Sequence, residues 1–170
     1  MSRAVLSIGS NVGDRLAQLQ SVLDGLGSRA VAVSAVYSTA PWGSVEQQDF
    51  FNAVVAVQDP AVDCRGWLQI GQDLEAQAER VREVRWGPRT LDVDVVTCGD
   101  VRSDDPVLTL PHPRAHERAF VLVPWLDVEP AAELSVDGVA TPVRQLLETL
   151  DASERDGVCR TDHSLRTVST

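Results

Sequence analysis

The sequence predicts an α+β fold in which helices pack on an antiparallel sheet. Short valine-rich runs, typical of strands, alternate along the chain with two amphipathic segments that have the periodicity of helices. Up to residue 94 the order of these segments is β-α-β-β-α-β. That is the order of the ferredoxin-like arrangement, in which two helices cover one face of a four-stranded antiparallel sheet. Helical additions are expected after this core.

The first elements are a strand, a helix and a second strand. Residues 3–8 are predicted to form a strand that stops at Gly9, and Asp14 is a candidate cap for the helix that follows. Residues 30–38 are rich in valine and predict the second strand. The apolar residues of the helix share one stripe: Leu16, Leu19, Val22, Leu23 and Leu26.

A long loop separates the second strand from a third. Pro41 and Gly43 argue against regular structure between residues 38 and 48. Residues 50–58 are nearly all apolar, as in a central strand, except for Asn52, whose amide needs hydrogen-bond partners. Asp63 is then predicted to cap a second helix whose apolar stripe is Trp67, Ile70, Leu74, Ala78 and Val81.

The stretch from Arg80 to Asp94 carries the strongest functional signal. Its first ten residues hold four arginines and a single acid, Glu83, although the chain has a net charge of −10. A local positive island on an acidic protein indicates a local anionic ligand. In the strand that follows, Asp92 and Asp94 are predicted to share one face, about 6 to 7 Å apart. Arginines beside paired carboxylates indicate a metal–polyphosphate site, because Mg²⁺ takes one or two carboxylates together with phosphate oxygens.

A purely structural interpretation of this stretch is also possible. The two aspartates would then lie on the solvated face of a half-buried strand, and the arginines in a solvated loop. Two observations favour function instead. Asp is depleted in strands, and two on one face repel each other. Trp86 also lies in the loop, where a tryptophan normally covers something.

The C-terminal third is less informative. His112 lies between two prolines and, taken alone, is more often a structural hydrogen-bonding residue than a ligand. Thr141 and Pro142 open a short predicted helix. Residues 153–170 are polar and are expected to form a surface appendage or a partly disordered tail of a single 1–170 domain.

Composition bounds the class of protein. An isoelectric point of about 4.6 argues against nucleic-acid and membrane-surface partners. The cysteines, Cys64, Cys98 and Cys159, are odd in number and show neither a disulfide framework nor zinc-ligand spacing, which fits a reducing cytoplasm. The N-terminus is too short for a signal peptide before the first strand. A cytoplasmic monomer is therefore expected.

Five blocks of sequence, in order, together resemble the 6-hydroxymethyl-7,8-dihydropterin pyrophosphokinase family. Among them, the string Arg-Trp-Gly-Pro-Arg-Thr-Leu-Asp-Val-Asp is very specific, and the resemblance runs from about residue 3 to residue 150. The blocks are residues 8–11, 37–43, 50–53, 85–94 and 110–113, the last followed by Arg118 and Phe120.

This resemblance implies an activity. The enzyme would transfer pyrophosphate from ATP to the hydroxymethyl group of the pterin in folate biosynthesis and release AMP. Asp92 and Asp94 would bind two Mg²⁺ ions, and Arg80 and Arg89 would act with them in catalysis. The pterin would be bound by Gly9, Thr39, Ala40, Trp42, Phe50, Asn52, Trp86 and Phe120. ATP would be bound by Glu75, Arg80, Arg82, Arg85, Arg89, Val95, His112 and Arg118.

One position departs from the family pattern, and two rival functions stay open. Glu79 stands where the family usually has glycine before the first arginine. A non-catalytic regulatory domain that binds a small molecule could share this fold, since fold alone does not fix function. A metal-dependent phosphohydrolase would keep the aspartate pair but would not need the aromatic residues.

Overall fold

The computed structural model describes residues 3–40, 48–80 (for Arg80 the backbone alone) and 91–168. In chain order the first elements are β1 (Arg3–Ser10), α1 (Arg15–Leu26), β2 (Ala30–Val33), β3 (Tyr37–Thr39), β4 (Phe50–Gln58), α2 (Cys64–Arg80) and β5 (Asp92–Cys98). They are followed by β6 (Ser103–Asp105), β7 (Leu108–Leu110), α3 (Ala119–Val128), β8 (Glu133–Val136), β9 (Val139–Pro142), α4 (Val143–Thr149), α5 (Ala152–Asp156) and β10 (Val158–Arg160).

The main sheet confirms the predicted fold class. Its strands follow the order β10-β3-β4-β1-β5, β2 also pairs with β4, and the pairings are antiparallel. With β2 and β3 counted as one strand, the core is the expected ferredoxin-like β-α-β-β-α-β unit. The helices α3, α4 and α5 are the C-terminal additions. Within the described ranges, none of the helices combines the length and apolarity that crossing a bilayer requires.

Side-chain caps begin both core helices as predicted. The Asp14 carboxylate accepts a hydrogen bond from the Ala17 amide at 3.1 Å. At α2, Asp63 accepts from the Gly66 amide at 2.7 Å. Each cap satisfies an amide that has no partner within the first turn of its helix.

The single strand predicted for residues 30–38 is two strands. Both pair with β4, but a buried Ser34 interrupts the ladder between them. Its backbone amide donates to the Val54 carbonyl at 2.9 Å, and its hydroxyl accepts from the Val54 amide at 2.9 Å. The side chain thus replaces a backbone partner at the irregularity, which composition alone does not reveal.

Two apolar cores lie on opposite faces of the sheet. The larger one joins α1 and α2 to the sheet and includes Trp67 and Leu23, both fully buried. The smaller one joins α3 and α4 to Val5, Val54 and Val96. The second sheet face, expected to be open, is therefore covered by helices over part of its length. The uncovered remainder is where the cleft described below lies.

The segment expected to be a tail is structured. Residues 158–160 form β10, which pairs with β3 along the edge of the main sheet, and Leu165 is buried in the larger core. The side chain of His163 lies against Phe51, with ring centroids 5.3 Å apart. The polar composition of residues 153–170 did not indicate a strand, because an edge strand is held by backbone hydrogen bonds that any sequence can form.

A disulfide corrects the expectation that the cysteines form no disulfide framework, and it removes the argument from cysteine usage for a reducing compartment. Cys64, the first residue of α2, is bonded to Cys98, the last residue of β5, and their Cα atoms are 5.8 Å apart. The two are 34 residues apart in sequence, and only the packing of α2 on β5 brings them together. Cys159 is an exposed free thiol.

This disulfide is expected to stabilise the fold. Reduction, or a Cys64→Ala substitution, should lower the free energy of unfolding by about 2 to 4 kcal/mol, because the cross-link restricts a long loop of the unfolded chain. The melting temperature should fall by roughly 5 to 15 °C. Calorimetry with and without reductant measures this. The exposed Cys159→Ser variant is the matched control and should melt like the wild type. Three titratable thiols in the untreated native protein would contradict the bond.

A partly buried hydrogen bond ties β3 to α3. The Tyr37 hydroxyl donates to the Asp127 carboxylate at 2.7 Å, and the same carboxylate oxygen accepts from the Ala35 amide at 3.2 Å. Burial, reinforced by the bond to Asp127, raises the pKa of Tyr37 to about 12. The strand that carries Thr39 is thus fixed to the helix that carries Phe120.

Tyr37→Phe is expected to lower the free energy of unfolding by about 1 to 3 kcal/mol, because the Asp127 carboxylate loses a hydrogen-bond donor.

The wild type should also lose stability as pH rises from about 10 to about 12. In that range the unfolded chain releases the phenol proton and the folded chain keeps it. The chain has one tyrosine and no lysine, so Tyr37 dominates this range. Denaturant unfolding at several pH values should show that the variant lacks this alkaline loss, and an equal loss in both proteins would contradict the assignment.

Candidate active site

A cleft of about 1000 Å³ opens on the sheet face that α3 and α4 leave uncovered. Its floor comes from β1, β3, β4 and β5, and its walls from α3 and the segment after α4. Most of the site residues predicted from the sequence that lie in the described ranges line it: Gly9, Thr39, Ala40, Phe50, Asn52, Asp92, Asp94, Arg118 and Phe120.

One end of the cleft combines an aromatic side chain with a fixed amide. Phe50 and Asn52 lie two residues apart on β4 and therefore share a face, while Phe51 points to the other side into the larger core. Asn52 is buried, and its amide nitrogen donates to the Thr39 hydroxyl at 2.8 Å. This bond fixes the orientation of the amide, as recognition of a flat polar ring edge requires.

Gly9 leaves room for that amide. It pairs with Asn52 across β1 and β4, and a Cβ atom added at Gly9 would lie 2.9 Å from the Asn52 side-chain oxygen. Real Cβ atoms essentially never come that close to another heavy atom. Any larger residue at this position would displace the amide. Gly9, predicted as a pterin-binding residue, thus lies directly beside the Asn52 amide.

The wall opposite Phe50 carries a second aromatic residue and a cation. Phe120 lies in the first turn of α3 and is only partly buried, although it packs against the smaller core. The Arg118 guanidinium carbon is 5.6 Å from the centroid of the Phe120 ring, within cation–π range. A partly buried cation and a partly exposed ring thus lie together on this wall of the cleft.

The other end of the cleft carries the paired aspartates. As predicted, Leu91, Val93 and Val95 are buried in the core, whereas Asp92 is half-buried and Asp94 is exposed. Both carboxylates line the cleft. Asp92 pairs with Gly9 and Asp94 with Ser7 across β1 and β5. The strand β1 therefore lies between the aspartates on β5 and Asn52 on β4.

Magnesium fits this pair of aspartates. Within residues 3–40, 48–80 and 91–168, no three acidic, histidine or cysteine side chains converge as a complete metal cage. Two carboxylates at the rim of an open cleft leave the remaining coordination positions to water and phosphate oxygens, which is how Mg²⁺ is usually held. A protein-only cage would suit a structural metal instead.

Three other predicted ATP-binding residues lie on β5 or contact it but do not line the cleft. Glu75 on α2 accepts a hydrogen bond from the Val93 amide at 3.4 Å. Val95 has its side chain in the core, so only its backbone could meet a ligand. His112 donates its backbone amide to Val96 at 2.8 Å. Burial lowers the pKa of His112, and Arg118 and Arg114 add to this effect against the opposing influence of Asp94.

The remaining predicted site residues lie outside the part of the chain that the structure describes. They are Trp42, Arg82, Arg85, Trp86 and Arg89, together with the side chain of Arg80. The described ends on either side of residues 81–90 are Arg80 in α2 and Leu91, which directly precedes Asp92. The arginine-rich stretch is therefore joined directly to the strand that carries both aspartates.

A further wall of the cleft was not predicted from the sequence. Residues from the end of α4 to β10 line it, and those from Ser153 onward belong to the segment that was expected to be a polar tail. The side chains of Arg114 and Glu117 line it as well, and the Arg114 Nε atom is 4.0 Å from the Glu117 Oε2 atom. The lining residues of the C-terminal segment are Thr149, Leu150, Asp151, Ser153, Glu154, Gly157 and Val158, here called the C-terminal wall.

Comparison with known protein families shows which family the chain belongs to. The family model described as 7,8-dihydro-6-hydroxymethylpterin-pyrophosphokinase (HPPK) matches residues 5–130. The chain belongs to the HPPK family. HPPK members are pyrophosphokinases, so the regulatory-domain alternative is set aside. The matched range contains every site residue predicted from the sequence, and it ends before the C-terminal wall.

Curated relatives named 2-amino-4-hydroxy-6-hydroxymethyldihydropteridine pyrophosphokinase are similar over nearly the whole chain. The Mycobacterium leprae protein is 54% identical, covering 98% of this chain and 92% of its own length. The Mycobacterium tuberculosis protein is 50% identical, covering 93% of this chain and 89% of its own length. The Pseudomonas aeruginosa protein is 37% identical, covering 94% and 97%.

Solved structures support the fold. One crystal structure of Plasmodium falciparum HPPK-DHPS with pterin and p-hydrobenzoate aligns with a TM-score of 0.65 at 14% identity. The alignment covers 94% of this HPPK chain and 47% of the Plasmodium protein. A wild-type HPPK-DHPS structure with pteroate gives a TM-score of 0.64 over 86% of this chain. This chain spans less than half the length of these Plasmodium proteins.

Proposed function

We propose that this HPPK transfers the β,γ-pyrophosphoryl group of ATP to the hydroxymethyl oxygen of 6-hydroxymethyl-7,8-dihydropterin and releases AMP. One observation carries the proposal: Asn52, Gly9 and Asp92 lie side by side on three neighbouring strands. Neighbouring strands are about 4.8 Å apart, so the amide and the first carboxylate are separated by about 10 Å. A bicyclic pterin read at one edge by Asn52 would extend its hydroxymethyl group toward the carboxylates.

The ring would lie between Phe50 and Phe120. Aromatic side chains on opposite walls offer a flat ring two stacking faces, and stacking on an aromatic residue is worth roughly 1 to 3 kcal/mol per base in nucleic-acid complexes. The Asn52 amide and the backbone near Thr39 and Ala40 would pair with the polar edge of the ring. A ring that lacks the matching groups would leave the buried amide unpaired and would be rejected.

Asp92 and Asp94 would hold two Mg²⁺ ions together with the phosphates of ATP. When bound, these ions neutralise charge on the phosphate oxygens during transfer. The carboxylates orient that assembly from a rigid strand, since β5 is paired with β1 along its length. Asp94 is exposed to the cleft and available to a ligand, whereas Asp92 is half-buried against the floor.

Arginine residues would bind the triphosphate. Arg118 lies on the cleft wall, and its forked donors match phosphate oxygens. Arg80, Arg82, Arg85 and Arg89 are proposed to do the same from the segment before β5, with Arg80 and Arg89 nearest the transferred group. Glu75 and His112, which contact β5 but do not line the described cleft, are proposed to contact the nucleotide as well.

No covalent step on the protein is needed for this reaction. The pterin hydroxymethyl oxygen attacks the β-phosphorus and its proton is released to the solvent. The bond from that phosphorus to the α-phosphate oxygen breaks, and AMP leaves with that oxygen. Phosphoryl transfer depends mainly on positioning and charge stabilisation. The residues of the cleft supply both: Asn52 and the two phenylalanines position the acceptor, and the arginines offset phosphate charge. Trp86 is proposed to close over the site and exclude water.

Product analysis tests the proposal. Purified protein is mixed with MgATP, with and without 6-hydroxymethyl-7,8-dihydropterin, and the nucleotide products are separated. AMP and a diphosphorylated pterin that form only when the pterin is present are the expected result. ADP or phosphate formed without pterin would identify a phosphohydrolase instead. A cytoplasmic location is proposed, because ATP is a cytoplasmic substrate, and a monomer is proposed as the working form.

A further inference from the structure

The C-terminal wall begins beyond the residues that the HPPK family model matches, yet it encloses part of the proposed substrate cleft. Its last residue, Val158, is partly buried and apolar among mainly polar and exposed neighbours. It pairs directly with Thr39 across β10 and β3. Side chains of directly paired residues share one face of a sheet, so Val158 and Thr39 project into the same region of the cleft.

The strand that carries Val158 is held firmly in place. The Thr161 amide and hydroxyl both donate to the Val36 carbonyl, at 2.9 and 2.8 Å. Further along, the Gln20 side chain exchanges two hydrogen bonds with the Arg166 backbone, at 2.9 and 3.0 Å. Leu165 between them is buried. A side chain on so constrained a strand forms a fixed boundary.

The position of Val158 identifies which end of the pterin it faces, and this step rests on the proposed function. The sheet places β10 at one edge and β5 at the other, so Val158 and Asp92 lie at opposite ends of the cleft. The hydroxymethyl group must face the aspartates for transfer to occur. The opposite end of the ring, which carries the 2-amino group, then points toward Thr39 and Val158.

We propose that Val158 is a specificity-determining residue that closes the 2-amino end of the pterin subsite. Its methyl groups limit the length of the ring system that fits between this end and the aspartates. The site would accept pterins with an unsubstituted 2-amino group and would exclude those with an alkyl group on that nitrogen. Val158 contributes shape and offers no hydrogen bond, while Asn52 and Thr39 provide the polar contacts.

A pair of neighbouring substitutions tests the shape argument. Val158→Phe should raise the dissociation constant of the pterin at least tenfold and leave that of a non-hydrolysable ATP analogue within twofold. Cys159→Phe is the matched control, because the next residue along a strand points to the opposite face and Cys159 is exposed. It should change neither constant by more than twofold. Equal effects of the two variants on pterin binding would overturn the proposal.

A smaller residue provides an independent test in case Val158→Phe folds poorly. Val158→Ala lengthens the subsite, so it should shift the ratio of affinities for the N2-methyl pterin and the parent pterin by at least fivefold toward the methylated ring. If Val158 only stabilised β10, the substitution would weaken the binding of both pterins equally and leave the ratio of affinities unchanged. An unchanged ratio therefore contradicts the proposal.

The outcomes also separate this inference from the proposed function. If wild-type protein forms AMP in a pterin-dependent reaction but the ratio does not move in Val158→Ala, the reaction stands and the role of Val158 is wrong. If wild-type protein does not bind or use the pterin at all, the proposed function fails first. Calorimetric titration of both pterins with the wild type settles that before any variant is made.

Discussion

Asp92→Ala and Asp94→Ala should each remove most pyrophosphoryl transfer, by about 100-fold or more in kcat, and leave pterin affinity within a few-fold of wild type. The strand β1 separates the carboxylates on β5 from Asn52 on β4, so their loss exposes phosphate charge without disturbing the ring subsite. Charge stabilisation of this kind is worth several kcal/mol in phosphate chemistry. The loss should therefore appear in turnover and not in ring recognition.

A matched control is the aspartate that follows the end of β5. Asp100→Ala changes an exposed aspartate just beyond β5 that does not line the cleft, and it should leave kcat unchanged. Steady-state kinetics with saturating pterin, together with direct titration of the pterin, measures both effects. Activity within a few-fold of wild type in both Asp92 and Asp94 variants would remove them from the metal site.

Phe120→Ala should weaken pterin binding by about 5- to 150-fold, which corresponds to roughly 1 to 3 kcal/mol of lost stacking. Binding of an ATP analogue should change far less. Phe120 is only partly buried and lines the cleft, so its removal should cost stability less than a core truncation does.

Phe51→Ala serves as the contrasting variant for Phe120. Phe51 is buried, packs in the larger core and has the Arg15 guanidinium carbon 3.9 Å from the centroid of its ring. Its truncation should cost about 3 to 5 kcal/mol of stability, as core truncations do. Pterin titration and thermal unfolding of both variants distinguish the two roles. If Phe120→Ala destabilises the fold strongly and leaves pterin affinity unchanged, Phe120 belongs to the core.

The sequence was most informative where a pattern repeats over a short range. The alternation of Leu91, Asp92, Val93 and Asp94 gave both the strand and its cleft-facing side, because side chains on a strand alternate with period two. The caps at Asp14 and Asp63 were predictable for a similar reason, since each acts within three residues. Which aromatic and polar residues form the site came from the family resemblance, not from periodicity.

Long-range features could not be predicted in this way. The Cys64–Cys98 bond depends on how α2 packs against β5, and nothing in the spacing of 34 residues signals it. The strand β10 was not predicted, because its backbone pairing with β3 requires no apolar sequence pattern. Ser34 divides one predicted strand into two by a hydrogen bond to Val54 that only the folded register reveals.

The disulfide also changes the connectivity of the molecule. The bond joins residue 64 to residue 98, so the helix, the arginine-rich segment and the aspartate strand lie within one covalent ring. A proteolytic cut at any point between these cysteines opens the ring without separating the fragments. The cleaved protein would keep its full mass until a reductant is added, when it would divide into two pieces. The segment that carries the proposed phosphate-binding arginines is thus tethered at both ends even after its own backbone is broken.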